Sequence, residues 1–183
     1  MTDSDTLIRI TEEVLRELDR SLGYRRSGAT ISGACVPTYR DVRTGEDPLY
    51  LTSRALVLPV MGILGYDRIP LDLSTGTGRG SDTVLTVVSM NRSLSGASER
   101  AVGVMVEDSI PSGIVTDGFR WILIEVFSGR PRISCLSDLR PYYVETLDRD
   151  RFKESYSIDR EEAELFIDQF SRLPTECTKC CWR

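Results

Sequence analysis

The most informative absence in this chain of 183 residues is histidine, of which it has none. Histidine is the commonest general base in enzymes and the commonest side-chain ligand of metals, because its pKa lies near neutrality. Any metal-dependent or acid–base chemistry in this protein would therefore have to rely on carboxylates or cysteine thiols.

Lysine is nearly absent as well. Of the 23 cationic residues only Lys153 and Lys179 are lysines, so almost every positive charge is a guanidinium. A guanidinium can bind phosphate or carboxylate through two parallel hydrogen bonds, although a genome with few lysine codons would give the same composition. The net charge of -5 disfavours a broad electrostatic contact with nucleic acid and leaves room for a local one.

Long apolar runs and a targeting signal are also missing. No stretch approaches the ~20 apolar residues of a membrane span, and the first five residues are acidic where a signal peptide would be basic. We therefore expect a cytoplasmic protein without membrane contact. The apolar content of 40% is enough for one packed core, so a single domain is the natural count.

Apolar residues at helical spacing predict an amphipathic helix over residues 4–22 and a second helix over 96–108. A third helix is predicted near the C-terminus, where Asp159-x-x-Glu162 forms a capping box in front of an apolar stripe. These helices are the elements that would cover a central sheet.

A fourth helix is predicted over residues 52–64, and its apolar character indicates burial. We expect Thr52 or Ser53 to be its N-cap and Gly65 its left-handed C-cap. Pro59 lies inside the helical pattern, where proline costs about 3 kcal/mol unless the helix is kinked. The sequence therefore predicts a kinked helix.

The central strand is predicted over residues 82–90, because it is apolar on both faces. Asp117-Gly118 separates two apolar, β-branched segments and predicts a hairpin between strands at 114–116 and 121–127. Shorter strands are predicted at 29–36, 68–73 and 132–136, with a flexible loop at 74–81.

Two short segments of this sequence resemble motifs of a known family. They are "LGYD" after an apolar helix and "GIVTDG-x-x-W-x-L" further on. Together they resemble the N-terminal nuclease domain of type I restriction enzyme R subunits, a member of the PD-(D/E)XK, restriction-endonuclease-like superfamily. The resemblance covers residues 52–127 and implies an α/β fold with a mixed central sheet flanked by helices.

The resemblance also implies a metal site. In the family an Asp and a Glu-x-Lys converge on Mg²⁺, which activates a water for attack on the nucleic-acid backbone. Asp82 matches the metal-binding Asp, whereas Ser89 and Asn91 stand where the Glu and the Lys should be. A hydroxyl and an amide carry no charge for a hard cation. We therefore expect a degenerate site, with no cofactor bound.

An active site could still exist if other carboxylates replaced the missing ones. The principal candidates are Asp72, on the strand before the loop, and Glu125, an acid inside an apolar strand; Glu107 and Asp108 at the end of a helix are further ones. With Asp82 they would hold Mg²⁺. A solvent-facing position would account for Glu125 without any chemistry.

For contacts with nucleic acid we single out Arg79, Arg92 and Arg120, which flank the central strand and the hairpin. In the tail, Cys177 and Cys180 form one C-x-x-C pair, which is half of a structural zinc site. Zinc is therefore not expected, and a frayed or partner-bound terminus accounts for the tail.

The predicted organisation is an N-terminal helix with a loop or hairpin extension over 1–50 and a nuclease-like core over 51–128. A strand and helix packing on the core follow over 129–174, and a cysteine-containing tail over 175–183. The leading functional hypothesis is a catalytically degenerate binding or structural module, with a protein partner and nucleic acid as the possible contacts. The alternatives are an active Mg²⁺-dependent nuclease with relocated carboxylates and an assembly subunit without a nucleic-acid role.

Overall fold

The computed structural model describes residues 3–66, 69–140 and 159–171, and every structural statement below concerns these ranges. The fold has helical segments first, then two groups of three strands separated by one helix, and a last helix. The helices are α1 (Asp3–Leu22), α2 (Tyr24–Ile31), α3 (Pro48–Leu51), α4 (Leu58–Ile63), α5 (Ser95–Glu107) and α6 (Arg160–Phe170). The strands are β1 (Leu71–Asp72), β2 (Thr77–Arg79), β3 (Thr83–Val87), β4 (Ser112–Thr116), β5 (Arg120–Phe127) and β6 (Arg130–Asp138).

The strands form one mixed sheet in the order β1-β2-β3-β4-β5-β6. β3 and β4 are parallel, with Leu85 opposite Ile114, and all other neighbours are antiparallel. The parallel pair is joined through α5, because parallel neighbours need a crossover connection. The predicted α/β fold with a mixed sheet flanked by helices is confirmed at this level.

The central strand β3 is buried on both faces, as its sequence predicts. Leu85 and Val87 belong to a cluster with α1, α4 and α6, whereas Val84 belongs to a second cluster with α5. Alternate residues of a strand point to opposite faces, so the two clusters lie on the two sides of the sheet.

The C-terminal helix α6 packs on the hairpin strand β5. Trp121 is fully buried, and its ring lies 5.5 Å from that of Phe166 and 6.3 Å from that of Phe170, both in edge-on geometry. Asp159 caps the helix by accepting from the backbone N–H groups of Glu161 and Glu162. The predicted cap and apolar stripe are therefore both confirmed.

The helical stretch before the sheet is irregular ahead of Pro59, and its details differ from the prediction. Its N-cap is Asp47, which accepts a hydrogen bond from Leu49 N, and not Thr52 or Ser53. Between α3 and α4 the chain forms a π-helical segment, Thr52–Val57, just ahead of Pro59. Proline has no N–H to donate to the carbonyl four residues earlier, and a π-helical turn changes the local hydrogen-bond pattern so that this bond is not required. Gly65 ends the helix with φ +80°, as predicted.

Three of the predicted short elements are wrong or shortened. Residues 24–31 form helix α2, so the strand predicted at 29–36 does not exist; Thr30 and Ile31 bury a helix face there. The predicted loop 74–81 contains β2, whose residues are too polar and glycine-rich to signal a strand. The strand predicted at 68–73 is reduced to β1.

Gly76 is needed where β1 turns into β2. Its φ is +70°, and its carbonyl accepts a 2.6 Å hydrogen bond from Val87 N. A Cβ at Gly76 would overlap the carbonyl oxygen of Val87. We expect Gly76→Ala to lower the free energy of unfolding by about 2 kcal/mol or more, through backbone strain and this overlap.

Chemical denaturation of Gly76→Ala and Gly62→Ala measures this effect. Gly62 lies in helix α4 and a Cβ there meets no other atom within 4 Å, so its replacement should stabilise the protein by about 0.5–1 kcal/mol. Equal effects of the two substitutions would show that the turn at Gly76 is not as described.

Candidate functional site

A cleft of about 640 Å³ lies at the carboxyl end of β3, where the chain turns towards α5. In open α/β sheets, this end of the parallel strands is the usual place for a ligand. The polar side chains that line the cleft are Thr75, Ser89, Arg92, Ser93, Ser95 and Arg100. We call it the β3 cleft, and among the described residues no carboxylate lines it.

One wall of the β3 cleft is the loop of residues 88–94, whose backbone is held by hydrogen bonds at Val88 and Met90. Val88 N donates to Thr116 O at 3.0 Å, so β3 and β4 stay paired beyond the last strand residue. Met90 N donates to the buried hydroxyl of Thr52 at 3.2 Å. The loop therefore presents Ser89 and Arg92 from a fixed backbone.

Asp117 is the main polar contact beneath this loop. Its side chain is fully buried and accepts from Phe119 N at 3.0 Å, Arg120 N at 2.7 Å and Asn91 N at 3.1 Å. The Arg120 side chain donates to the same carboxylate through Nε at 2.9 Å and Nη2 at 2.6 Å. A buried acid with this many donors stabilises the hairpin turn and has no oxygen left for a ligand.

Asn91 has a structural role in the fold. Its backbone has φ +62°, which asparagine tolerates better than most residues. Its Nδ2 donates to the carbonyl oxygens of Thr30 at 2.6 Å and Cys35 at 2.7 Å. Asn91 therefore ties the N-terminal helical region to the end of the sheet.

Two guanidiniums give the β3 cleft its charge. Arg92 and Arg100 are exposed, and neither forms an ion pair with a carboxylate in the described parts of the chain. Arg120 Nη2 donates to Arg92 O at 2.6 Å and so positions the backbone of Arg92. The N-terminus of α5 opens on the same cleft, and its N-cap, Leu94, has no side-chain group that could cap it.

A second cleft, of about 720 Å³, continues along β1, β2 and α5 and shares Thr75 and Arg100 with the first. Both signs of charge line this second cleft, through Asp72, Glu107, Arg79 and the shared Arg100. Of these two clefts, the β3 cleft is the one whose lining among the described residues has guanidiniums and hydroxyls but no acid.

Asp72 closes the turn between β1 and β2. Its carboxylate accepts from Ser74 N at 2.9 Å, Ser74 Oγ at 2.7 Å and Thr75 Oγ1 at 3.1 Å. These hydrogen bonds, the one from the Ser74 hydroxyl first, lower the pKa of Asp72 below its usual value. Its oxygens are thus used within the turn that forms one wall of both clefts.

The lowered pKa of Asp72 predicts a pH dependence. A carboxyl whose pKa is lower in the folded state stabilises the fold above its unfolded pKa, about 3.9, and this contribution is lost as the pH falls through the folded pKa. We expect Asp72→Asn to lose less stability than the wild-type chain between about pH 5 and pH 3. Thermal unfolding across this range measures it, and parallel curves would contradict the prediction.

The structure does not bring the three family positions together. Asp82 precedes the first residue of β3, whereas Ser89 and Asn91 follow its last residue. The strand between them spans roughly 16 Å. Asp82 therefore lies at the opposite end of the strand from the β3 cleft and cannot share one metal ion with groups at positions 89 and 91.

The relocated acids do not gather around Asp82 either. Glu125 is exposed and aligned with Ser112, so it lies near the Asp82 end but about 10 Å away, across two strand spacings. Asp108 pairs with Arg79 at 2.8 Å. Among the described residues, no group of three or more Cys, Asp or Glu side chains could hold a metal. Cys177 and Cys180 lie outside the described residues.

The three arginines proposed for nucleic-acid contact differ in what they bind. Arg79 pairs with Asp108, and Arg120 is committed to buried Asp117. Arg92 alone lies in the β3 cleft with its guanidinium unpaired in the described chain. Sequence reasoning missed Arg100 as a site residue, although its place one turn inside α5, eight residues after Arg92, could have indicated it.

Comparisons of the chain with protein-family models, with curated proteins and with solved structures gave no significant match. In the described ranges no helix is both long enough and apolar enough to cross a membrane.

Proposed function

We propose that this chain is a non-catalytic binding module with a restriction-endonuclease-like core, which contacts nucleic acid as part of a larger assembly. One observation carries the proposal: within the described residues, the β3 cleft holds two guanidiniums that form no ion pair and several hydroxyls, and no carboxylate lines it. A cleft without carboxylates does not fit Mg²⁺, which binds through anionic oxygens. Such a cleft fits an anion.

The fold adds support to the proposal. A helix precedes three antiparallel strands, and a crossover helix then leads to a strand parallel to β3. This agrees with the mixed, helix-flanked sheet that the resemblance implies. The positions that would carry the chemistry hold Ser89 and Asn91, and Asn91 is used in hydrogen bonds that hold the fold together.

Charge explains why a local contact is reasonable for an acidic chain. The net charge of -5 repels a polyanion at long range. A concave surface that concentrates positive charge can still bind a phosphate group at short range, because guanidinium and phosphate pair through parallel hydrogen bonds. We therefore expect a small contact, helped by the rest of the assembly.

Fluorescence anisotropy with labelled single- and double-stranded DNA tests the proposal. We expect weak binding that falls with salt, with a logarithmic slope of about 1–2, since two arginines would displace about that many counterions. Arg92→Gln should weaken binding and reduce the slope. Absent binding, or binding independent of salt, would contradict the proposal and favour an assembly subunit without a nucleic-acid role.

A further inference from the structure

The β3 cleft contains the parts of an oxyanion site. Arg92 comes from the loop after β3 and Arg100 from the first turns of α5, so the two guanidiniums reach the cleft from different elements. Hydroxyls of Ser89 and Ser93 line the same cleft, whereas the Thr75 hydroxyl already donates to Asp72. The two guanidiniums and the serine hydroxyls can donate hydrogen bonds, and a tetrahedral phosphate offers acceptors in several directions.

The backbone adds donors to the same cleft. Ser95, Gly96 and Ala97 begin the thirteen-residue helix α5 and line the cleft. Ser95 N has only a long contact of 3.4 Å with Ser93 Oγ, and no side chain caps the helix. The partial positive charge at a helix start favours an anion, and the two guanidiniums supply the full charges.

The two clefts differ in the acidic residues that line them, and this difference indicates that the ligand of the β3 cleft is an anion. The neighbouring cleft has Asp72 and Glu107 among its lining residues, whereas no acid from the described part of the chain lines the β3 cleft. The Asp72 carboxylate accepts hydrogen bonds from the Ser74 and Thr75 hydroxyls within its own turn. An anion in the β3 cleft would therefore meet donors without a competing carboxylate in the lining.

From these contacts we infer that the β3 cleft binds one phosphate group, held by Arg92, Arg100 and the backbone N–H groups that begin α5. The inference rests on the proposed function and deepens it, because it names the group of the nucleic acid that is bound and the residues that bind it. The phosphate belongs to a nucleic-acid strand, and free inorganic phosphate presents the same chemistry.

The test is a titration of the full ¹⁵N-labelled chain with inorganic phosphate at constant ionic strength, followed by NMR. We expect saturable shifts of the amides of residues 95–97. Arg92→Gln combined with Arg100→Gln should weaken binding at least tenfold. Arg130→Gln combined with Arg132→Gln removes the same charge at the opposite edge of the sheet and should leave binding unchanged.

Wild-type spectra without saturable shifts at residues 95–97 would overturn the inference, and so would equal affinity in the Arg92/Arg100 variant. This first criterion does not depend on whether any variant folds. A succinate titration that matches phosphate would also overturn it, since the cleft would then take carboxylates.

Oligonucleotides with and without a 5′-phosphate form the second arm. If the wild-type chain binds both oligonucleotides and the Arg92/Arg100 variant binds neither, the phosphate in the cleft is an internal one. If the wild-type chain binds only the 5′-phosphorylated oligonucleotide, the phosphate in the cleft is the terminal one. Nucleic-acid binding that survives in this variant would overturn the inference and leave the proposed function intact. Phosphate binding without any nucleic-acid binding would overturn the proposed function alone.

Discussion

Replacing Asp117 with alanine is expected to lower the free energy of unfolding by about 3–5 kcal/mol, the usual effect of removing one partner of a buried charged pair. The loss is large because five hydrogen bonds end on this carboxylate. Without it, the half-buried Arg120 guanidinium and the backbone donors of the hairpin turn lose their acceptor. Equilibrium denaturation with urea measures the change.

Asp138→Ala is the matched control for Asp117→Ala. Asp138 also pairs with an arginine, Arg140, but its side chain is 33% exposed. A partly solvated pair contributes little, so we expect a loss of about 1 kcal/mol or less. Asp117→Asn should fall between the two, since an amide keeps one acceptor oxygen. Similar losses for Asp117→Ala and Asp138→Ala would contradict the central structural role of Asp117.

The second large effect is expected at Asn91. Asn91→Ala should lower the free energy of unfolding by about 2–4 kcal/mol, because the carbonyl groups of Thr30 and Cys35 lose their donor. A further part comes from the left-handed backbone at φ +62°, which alanine adopts less readily. The same urea titration measures it.

Asn91→Gly separates the two causes. Glycine adopts positive φ without steric strain, so the variant loses only the two side-chain hydrogen bonds and should be about 1 kcal/mol more stable than Asn91→Ala. If both variants were as stable as the wild-type chain, Asn91 would not be the link between the N-terminal helices and the sheet.

Much of the sheet could be predicted from the sequence because its signals are local. The apolar run of β3, the Asp117-Gly118 turn and the helical period of α5 each mark one element without knowledge of the rest. The cap at Asp159 is of the same kind. These elements define the parallel crossover and the hairpin on which the site is built.

The parts that could not be predicted depend on contacts distant in sequence. The strand predicted at 29–36 rests on a local signal, whereas helix α2 depends on the packing of its apolar residues against other helices. Strand β2 exists only through its pairing with β3. The resemblance matches Asp82 and Ser89 to one metal site, although the strand predicted over 82–90 already puts them at its opposite ends, where the structure also has them. The position of Arg100 early in α5 is a local signal, but that its side chain lines the β3 cleft depends on how α5 packs on the sheet.

The central claim is that this scaffold holds no nuclease site, and incubation with DNA tests it most directly. Supercoiled plasmid and single-stranded DNA would be incubated with an excess of the intact chain and Mg²⁺ or Mn²⁺, and then separated on a gel. We predict that both DNA species remain uncut with either metal. Metal-dependent cutting that Asp82→Ala or Asp72→Ala abolishes would contradict the account.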